Sequence, residues 1–307
     1  MSPLLPAAGV VLVSLSGASA VAVLDEETLR PVARIGVGRG PHEITLSGDG
    51  RLAYVAVAGP GPGAEAGRTV AVLDVAQRAV VATHDLPECR SPHDTRVSRD
   101  GSRLWVACAP ARAVLELDAR EGGVRRVFKT GRDGGWFVAV TPDAGKLYVP
   151  HLEGKALTVL DRRSGRASTL LEGTIQYGIA SSPDGDEVWV TDTEARRISV
   201  VDTRSDAVVS TLSLEGGPLG RLAFAPDGAR VFVAGRERLF VVDARRRRLE
   251  FTVPLPHSAK VLASSPDGRR VVLSVPGADQ VMVVDVGART VLTAAVGPGP
   301  DGVAWTR

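Results

Sequence analysis

Two Pro-His-acid triplets are the residues of this sequence best suited to chemistry. His42 is followed by Glu43 and His93 by Asp94, and a proline precedes each histidine. Neutral imidazoles bind borderline metals such as zinc, and carboxylates complete or orient such sites. With His151 as a third nitrogen, the pattern predicts a site for a divalent transition metal (Zn, Fe, Cu or Mn). Such a metal would polarise a carbonyl group or activate a water molecule.

Two other interpretations of the triplets stay open on the sequence. Without a metal, His42 or His93 could act as a general base, because the pKa of histidine lies near neutrality. In the third interpretation each triplet is only a turn that leads into a strand, and the imidazole bonds a neighbouring backbone carbonyl.

The elements that must position these residues follow a repeat of about forty residues. A short β-branched run ends in an aspartate seven times, at intervals of 49, 44, 43, 41, 41 and 42 residues. Self-similarity at such a period is typical of a radial β architecture with one four-stranded sheet per repeat. We therefore predict one all-β domain over residues 1–307, a seven-bladed β-propeller with four antiparallel strands per blade. The seven aspartates are Asp25, Asp74, Asp118, Asp161, Asp202, Asp243 and Asp285.

The two ends of the chain predict how the ring closes. The first apolar run reads as a second strand, whereas residues 302–306 read as an inner strand without a partner. Pairing this C-terminal strand with the N-terminal strands would complete the seventh blade and leave no free edge in the ring.

The Asp-Gly turns between the first and second strands allow the inner residues to be located. If each turn is the pivot of a hairpin, the residue that opens each inner strand pairs with the one that closes the second strand. The predicted pairs are His42 with Val57, His93 with Cys108, Trp136 with His151, Tyr177 with Asp192, Gly220 with Gly235, Lys260 with Val275 and Asp301 with Leu15.

The first member of each pair should lie in a ring around one mouth of the central channel. Imidazoles, aromatic rings, a cation and a carboxylate are chemically varied, as the linings of ligand sites are. Strand order also places all five histidines on this face, and His84 is expected in a solvated loop there. The candidate substrate-binding residues are Trp136, Tyr177, Asp192, Arg221, Lys260 and Asp301, and the candidate catalytic residues are His42, His93, Glu43 and Asp94.

Two segments carry the resemblance to a known family. Residues 146–149 (KLYV) and 187–191 (EVWVT) each follow an SPDG-like turn and precede a strand that ends in VLD or VVD. They resemble the YVTN-type β-propeller repeat, and the resemblance covers essentially the whole chain. That superfamily is related to the haem-binding propeller of cytochrome-type nitrite reductases, and other propellers include lactonases and a streptogramin lyase. The resemblance therefore implies the fold and not the function. The sequence has no Cys-x-x-Cys-His haem attachment motif.

Composition narrows the partners and the compartment. The net charge of +2 gives no general attraction to nucleic acid or to an anionic membrane. Residues 4–15 are apolar and a small-residue stretch follows, as in a secretory signal, but no basic residue precedes them. We expect a monomeric cytoplasmic protein without a membrane span, with secretion as the alternative.

Two further features stay open. Cys89 and Cys108 could form a disulfide, a metal site with a histidine, or two inert thiols, and a cytoplasmic chain favours the thiols. The Gly- and Pro-rich insertion at 59–68 lies beside His42 and could be a mobile cover or a tolerated loop.

The sequence thus favours a small-molecule enzyme at the histidine-bearing mouth, a lyase, hydrolase or isomerase. The alternative is a non-catalytic propeller whose mouth holds a ligand or a partner protein.

Overall fold

Seven four-stranded antiparallel sheets make up the described part of the protein. The computed structural model describes residues 9–60 and 66–306. The strands of the first half are β1 (Val10–Leu15), β2 (Ala20–Asp25), β3 (Pro31–Gly36), β4 (Pro41–Leu46), β5 (Leu52–Val57), β6 (Thr69–Asp74), β7 (Ala79–Asp85), β8 (Asp94–Val97), β9 (Arg103–Cys108), β10 (Ala113–Asp118), β11 (Val124–Lys129), β12 (Ala139–Val140), β13 (Lys146–His151) and β14 (Ala156–Asp161).

The second half continues the same pattern. Its strands are β15 (Ala167–Leu170), β16 (Gln176–Ser181), β17 (Glu187–Asp192), β18 (Arg197–Asp202), β19 (Ala207–Ser213), β20 (Leu219–Phe224), β21 (Arg230–Gly235), β22 (Arg238–Asp243), β23 (Arg248–Pro254), β24 (Leu262–Ser264), β25 (Arg270–Val275), β26 (Gln280–Asp285), β27 (Thr290–Ala295) and β28 (Pro300–Trp305). Short 3₁₀ turns at Ser16–Ala18, Ala109–Ala111 and Pro276–Ala278 connect second strands to third strands. The protein is a seven-bladed β-propeller, as predicted.

Burial falls from the middle of each blade to its outer strand. In the blade of β4 to β7, the second and third strands are almost entirely buried, whereas β7 is largely exposed. Neighbouring blades cover both faces of the middle strands, so these strands read as continuous Val-rich runs rather than as alternating ones. The largest buried side chains, among them Trp105 and Trp189, lie in these layers between blades.

The seven repeated aspartates have one local role. Each carboxylate accepts a hydrogen bond of 2.7–2.9 Å from the backbone N–H three residues further on, in the turn between the third and fourth strands. A short acidic side chain can bond its own turn in this way. At Asp118 the N–H of Glu121 is the main cause that lowers the pKa of the carboxyl to about 2. The repeat in the sequence is therefore a repeat of turns.

The termini close the ring as predicted. Strand β28 pairs antiparallel with β1, with Val303 opposite Val13 and Trp305 opposite Val11. Both β28 side chains are buried, and Trp305 Nε1 donates a 2.9 Å hydrogen bond to Glu26. The last strand is thus the inner strand of the blade that begins with β1.

The N-terminal segment is described only in part. Residues 1–8, which include the start of the apolar stretch, lie outside the described residues, whereas Val10–Leu15 and Ala20–Asp25 are strands, as predicted. Across residues 9–60 and 66–306, no helix is long and apolar enough to span a membrane.

Closure by β28 generates a stability prediction. Val303→Asp places a charge among buried side chains, and we expect the free energy of unfolding to fall by about 3 kcal/mol or more. Leu292→Asp on the outer strand β27 is the control, because Leu292 is 62% exposed. Urea denaturation measures both variants. Equal small effects would contradict the closure of the ring by β28.

Candidate functional site

In four blades a β-bulge near the start of the inner strand changes the direction of the side chains there. On β4, Pro41 pairs with Val57 and Ile44 pairs with Val55, so one extra residue is inserted between these pairs. The predicted register is correct on the turn side of this bulge and shifts by one residue at the mouth. Strands β16, β20 and β28 show the same shift. The predicted pairs of His42, Tyr177, Gly220 and Asp301 are therefore wrong by one residue.

In the other three blades the paired residues keep the predicted register. Examples are Asp94 opposite Ala107 and Leu262 opposite Leu273. Bulges are common beside functional sites because they change the direction of a side chain without ending the strand.

The structure brings five of the seven predicted ring residues to one cavity. This histidine pocket, of about 530 Å³, lies on the face that carries the second-to-third and fourth-to-first connections. Its chemically distinctive lining residues are His42, His93, Trp136, Phe137, Tyr177 and Lys260. Asp301 lies directly behind two of them, and Gly220 opens onto a neighbouring cavity.

Aromatic rings form a continuous wall of the histidine pocket. The ring centroids of His42 and His93 are 4.4 Å apart, and those of His93 and Trp136 are 5.4 Å apart. Phe137 meets His93 edge-on at 5.0 Å and Tyr177 edge-on at 5.3 Å. These spacings are typical of favourable ring pairs. The wall suits a flat ligand.

Phe137 was not predicted as a site residue, although its position in the repeat indicates that it faces the channel. The residue after each ring position points to a second layer of the channel, and three of these residues are Glu43, Phe137 and Arg221. The Arg221 guanidinium stacks over the Phe137 ring at 3.7 Å and lies 3.7 Å from Glu43. Counting one residue past the ring would have found the set.

His42 and Lys260 share one buried carboxylate. His42 Nδ1 lies 2.8 Å from Asp301 Oδ2, and Lys260 Nζ donates a 2.8 Å hydrogen bond to the same oxygen. Burial alone would raise the pKa of Asp301, but His42 and Lys260 together hold it well below its usual range. Burial works against the charge of Lys260, yet Asp301 raises the pKa of the lysine. Asp301 is thus a buried anion that accepts a hydrogen bond from Lys260 and lies within ion-pair distance of His42.

His93 has the opposite environment. Its ring keeps partial exposure, but Nδ1 is enclosed and has no hydrogen-bond partner among the described residues. Burial, followed by the charge of nearby His42, lowers the pKa of His93 to about 3. His93 is therefore neutral at physiological pH, and it contributes an uncharged aromatic ring to the wall of the pocket.

The two acids of the triplets, Glu43 and Asp94, lie buried below the ring and interact with residues there. Asp94 is fully buried and accepts hydrogen bonds from Arg96 at 2.6 Å and from the Val138 N–H at 3.0 Å. Glu43 is buried near Arg221, and burial raises the pKa of its carboxyl. Neither carboxylate is placed beside a histidine nitrogen as the metal hypothesis required.

His151 does not join His42 and His93. It is fully buried, with Nδ1 2.9 Å from the Asp133 carbonyl and Nε2 2.9 Å from the Thr158 hydroxyl. Both nitrogens are therefore used inside its own blade. In the parts of the chain that the structure describes, no three His, Cys, Asp or Glu residues group to hold a metal. The predicted three-histidine centre is not formed.

Two other residues singled out in the sequence, Asp192 and His84, are buried. Asp192, a candidate substrate-binding residue, is buried and pairs with Arg197 at 3.4 Å. His84, expected in a solvated loop, is buried on β7 with Nε2 3.0 Å from the Ala119 carbonyl. The blade beside β7 covers this strand end, which the repeat alone did not reveal.

Cys89 and Cys108 form a disulfide, with their Cα atoms 5.5 Å apart. The preference for inert thiols is therefore wrong. A turn closed by the Cys89 N–H on the Leu86 carbonyl returns Cys89 toward the end of β9, where Cys108 lies. The disulfide anchors the segment before β8, and this segment places His93 in the pocket.

The insertion at 59–68 lies partly outside the described residues, because 61–65 are not described. Its first residue reaches the site, since Gly59 lines the histidine pocket. Whether the insertion covers the pocket stays a prediction.

Comparisons with known proteins agree with the architecture. No family model matches the chain. A seven-bladed beta-propeller protein of Mycobacterium tuberculosis is 29% identical over 151 residues, which are 49% of this chain and 35% of that protein. The match thus spans about a third of the length of that relative.

Solved structures show the same fold at low identity. A functionally unknown protein from Desulfotomaculum acetoxidans DSM 771 superposes with a TM-score of 0.82 at 13% identity, over 97% of this chain and 99% of that one. The dihydro-heme d1 dehydrogenase NirN in complex with DHE gives 0.66 at 18% identity, over 96% and 74%. Proteins with this architecture therefore include an enzyme, while the YVTN-type repeat stays a prediction.

The environment of His93 predicts a pH dependence. The unfolded chain binds a proton on His93 near pH 6.5, whereas the folded protein does so only near pH 3. Stability must therefore fall as the pH drops through this window. In His93→Gln, the loss between pH 7 and pH 5 should be smaller by about 2 kcal/mol in urea denaturation. His257→Gln, at an exposed position, is the control. An unchanged pH dependence in His93→Gln would refute the assignment.

The disulfide predicts a second stability effect. Replacing Cys89 and Cys108 together by serine should lower the free energy of unfolding by about 2–4 kcal/mol. It should also speed hydrogen exchange in the segment that precedes β8. Mass spectrometry of alkylated, unreduced protein checks the bond itself. Two alkylated cysteines in the native protein would contradict it.

Proposed function

We propose that the protein is a small-molecule enzyme in which His42 transfers a proton to or from a ligand in the histidine pocket. The observation that carries the proposal is the contact of His42 Nδ1 with the buried Asp301 carboxylate at 2.8 Å. A carboxylate on one imidazole nitrogen fixes the ring and its tautomer, and it stabilises the cation formed when the other nitrogen takes a proton.

The position of His42 supports this role. Its side chain is 23% exposed and lines the histidine pocket, while Asp301 behind it is 4% exposed. With Nδ1 beside Asp301, Nε2 is the ring nitrogen left to exchange a proton with a ligand. Asp301 stays ionised, so the pair keeps a negative charge where a positive one develops.

The wall of the pocket indicates the ligand class. His93, Trp136, Phe137 and Tyr177 present ring faces and edges, which favour a planar or ring-bearing molecule. Burial raises the pKa of Tyr177, so its phenol stays neutral in the wall.

Lys260 adds a charge preference to this ligand class. Its side chain is 38% exposed in the same cavity, and its ammonium group can meet an anionic group of the ligand. A ring-bearing carboxylate fits this set.

The reaction class follows from the pairing of one acid–base residue, His42, with an aromatic wall that binds the ligand. Removing a proton from the ligand or from a water would support elimination, isomerisation or hydrolysis. These are lyase, isomerase and hydrolase reactions, and the chain's own residues need no metal for the proton transfer. A divalent metal on His42 is the competing version of the proposal. Metal analysis of protein purified without an affinity tag tests it, and a stoichiometric metal would favour that version.

A non-catalytic receptor for the same ligand is the second candidate. The observation that favours it is His93, which is adjacent to His42 but is held neutral by burial. The aromatic wall would bind a ring without turnover if His42 only completes that wall.

Fluorescence provides a direct screen for ligands. All four tryptophans are described, and Trp136 is the one that is not buried while Trp105, Trp189 and Trp305 are. A ring-bearing ligand should quench Trp136, and Trp136→Phe should abolish that signal. Lys260→Met should weaken the binding of carboxylates but not of their neutral methyl esters.

Turnover of a ligand found this way tests the catalytic role. His42→Gln should lower kcat by about 10²–10⁴-fold with a Kd within about threefold of the wild type. Asp301→Asn should lower kcat in the same direction, because it keeps the shape but not the charge. Conversion of the ligand at an unchanged rate by His42→Gln would contradict the enzyme proposal. Binding without any conversion by the wild type would favour the receptor.

A further inference from the structure

One position of the channel-mouth ring lacks a side chain. Between Tyr177 and Lys260 in blade order stands Gly220 on β20. The neighbouring ring positions carry large side chains, so the glycine leaves a gap in the rim of the mouth.

A second cavity of about 400 Å³ lies at this gap. We call it the Gly220 slot, and its apolar lining residues are Leu152, Tyr177, Pro218, Leu219, Ala234 and Ala259. Leu152 and Tyr177 also line the histidine pocket. The two cavities therefore adjoin at Leu152 and Tyr177.

The chemistry of the Gly220 slot differs from that of the histidine pocket. Aliphatic side chains and the bare backbone of Gly220 and Gly235 dominate the lining, and Thr193, Ser258 and Arg236 contribute its polar groups. The aromatic contact ends at Tyr177. Such a surface gains free energy from saturated carbon rather than from a second ring.

We propose that the Gly220 slot binds an apolar extension of the ligand whose ring lies in the histidine pocket. The ligand class is then a ring-bearing acid with a saturated tail that leaves the ring on the Tyr177 side. This inference rests on the proposed function, because the histidine pocket must hold the ring. Leu152 and Tyr177, which are common to both cavities, set the point where the tail turns.

The packing of the glycines shows how the slot can be tested. A Cβ on Gly235 would lie 2.6 Å from the Phe240 ring, so a substitution there would disturb the core. Ala259 is half-buried and carries a Cβ already. Ala259→Leu should therefore fill the slot without displacing backbone, and Ser258→Leu, at an exposed position, is a second filling variant.

The test uses benzoate and 4-hexylbenzoate, with Trp136 quenching as the readout. In the wild type the hexyl tail should lower Kd by at least about tenfold, because it buries several methylene groups. Ala259→Leu should reduce that gain to less than about threefold and leave the Kd of benzoate unchanged. Ala288→Leu, in an exposed turn of the opposite face, should behave as the wild type.

The outcomes separate the two proposals. If benzoate binds but the tail adds no affinity, or the gain survives in both filling variants, the slot inference fails and the histidine pocket stands. If neither probe quenches Trp136, both proposals fail. The slot inference is supported if the affinity gain from the hexyl tail is lost in Ala259→Leu and in Ser258→Leu but is kept in Ala288→Leu.

Discussion

The carboxylate of Asp301 holds together the ends of the chain and the candidate site. Asp301 lies on β28, the strand that completes the first blade, while its partners His42 and Lys260 belong to the blades on either side. One buried anion thus crosses two blade boundaries at the seam of the ring. The histidine can be oriented only after the C-terminal strand has paired with β1. The contact between Asp301 and His42 therefore depends on the closure of the ring.

The central channel is divided into two ends by its second layer. Arg221 stacks on Phe137 and lies beside Glu43 below the ring, and Arg221 and Glu43 line a separate cavity of about 510 Å³ toward the opposite face. The two ends have different chemistry, because His42, His93 and Lys260 line only the cavity on the histidine side. This division explains why the candidate acid–base pair faces one mouth and why the acids of the triplets do not.

Local interactions explain what the sequence predicted well. The blade count follows from aspartates that bond their own turns, as Asp202 does with the Ser205 N–H, and such a role needs no distant partner. Most ring residues were found because the hairpin register propagates from the Asp-Gly turns. The bulge at His42 has no sequence signal of its own, so the pairing was misjudged there. The burial of His151 and His84 and the Cys89–Cys108 bond depend on how neighbouring segments meet, and a repeat cannot reveal that.

The tautomer of His42 is the most direct test of this account. Long-range ¹H–¹⁵N spectra of the imidazoles, assigned with His42→Gln, report which nitrogen carries the proton. With Asp301 on Nδ1, we predict a neutral His42 protonated on Nδ1, and a change of its ¹⁵N shifts in Asp301→Asn. A neutral His42 protonated on Nε2, with spectra that Asp301→Asn leaves unchanged, would contradict the central claim that Asp301 orients the histidine for proton transfer.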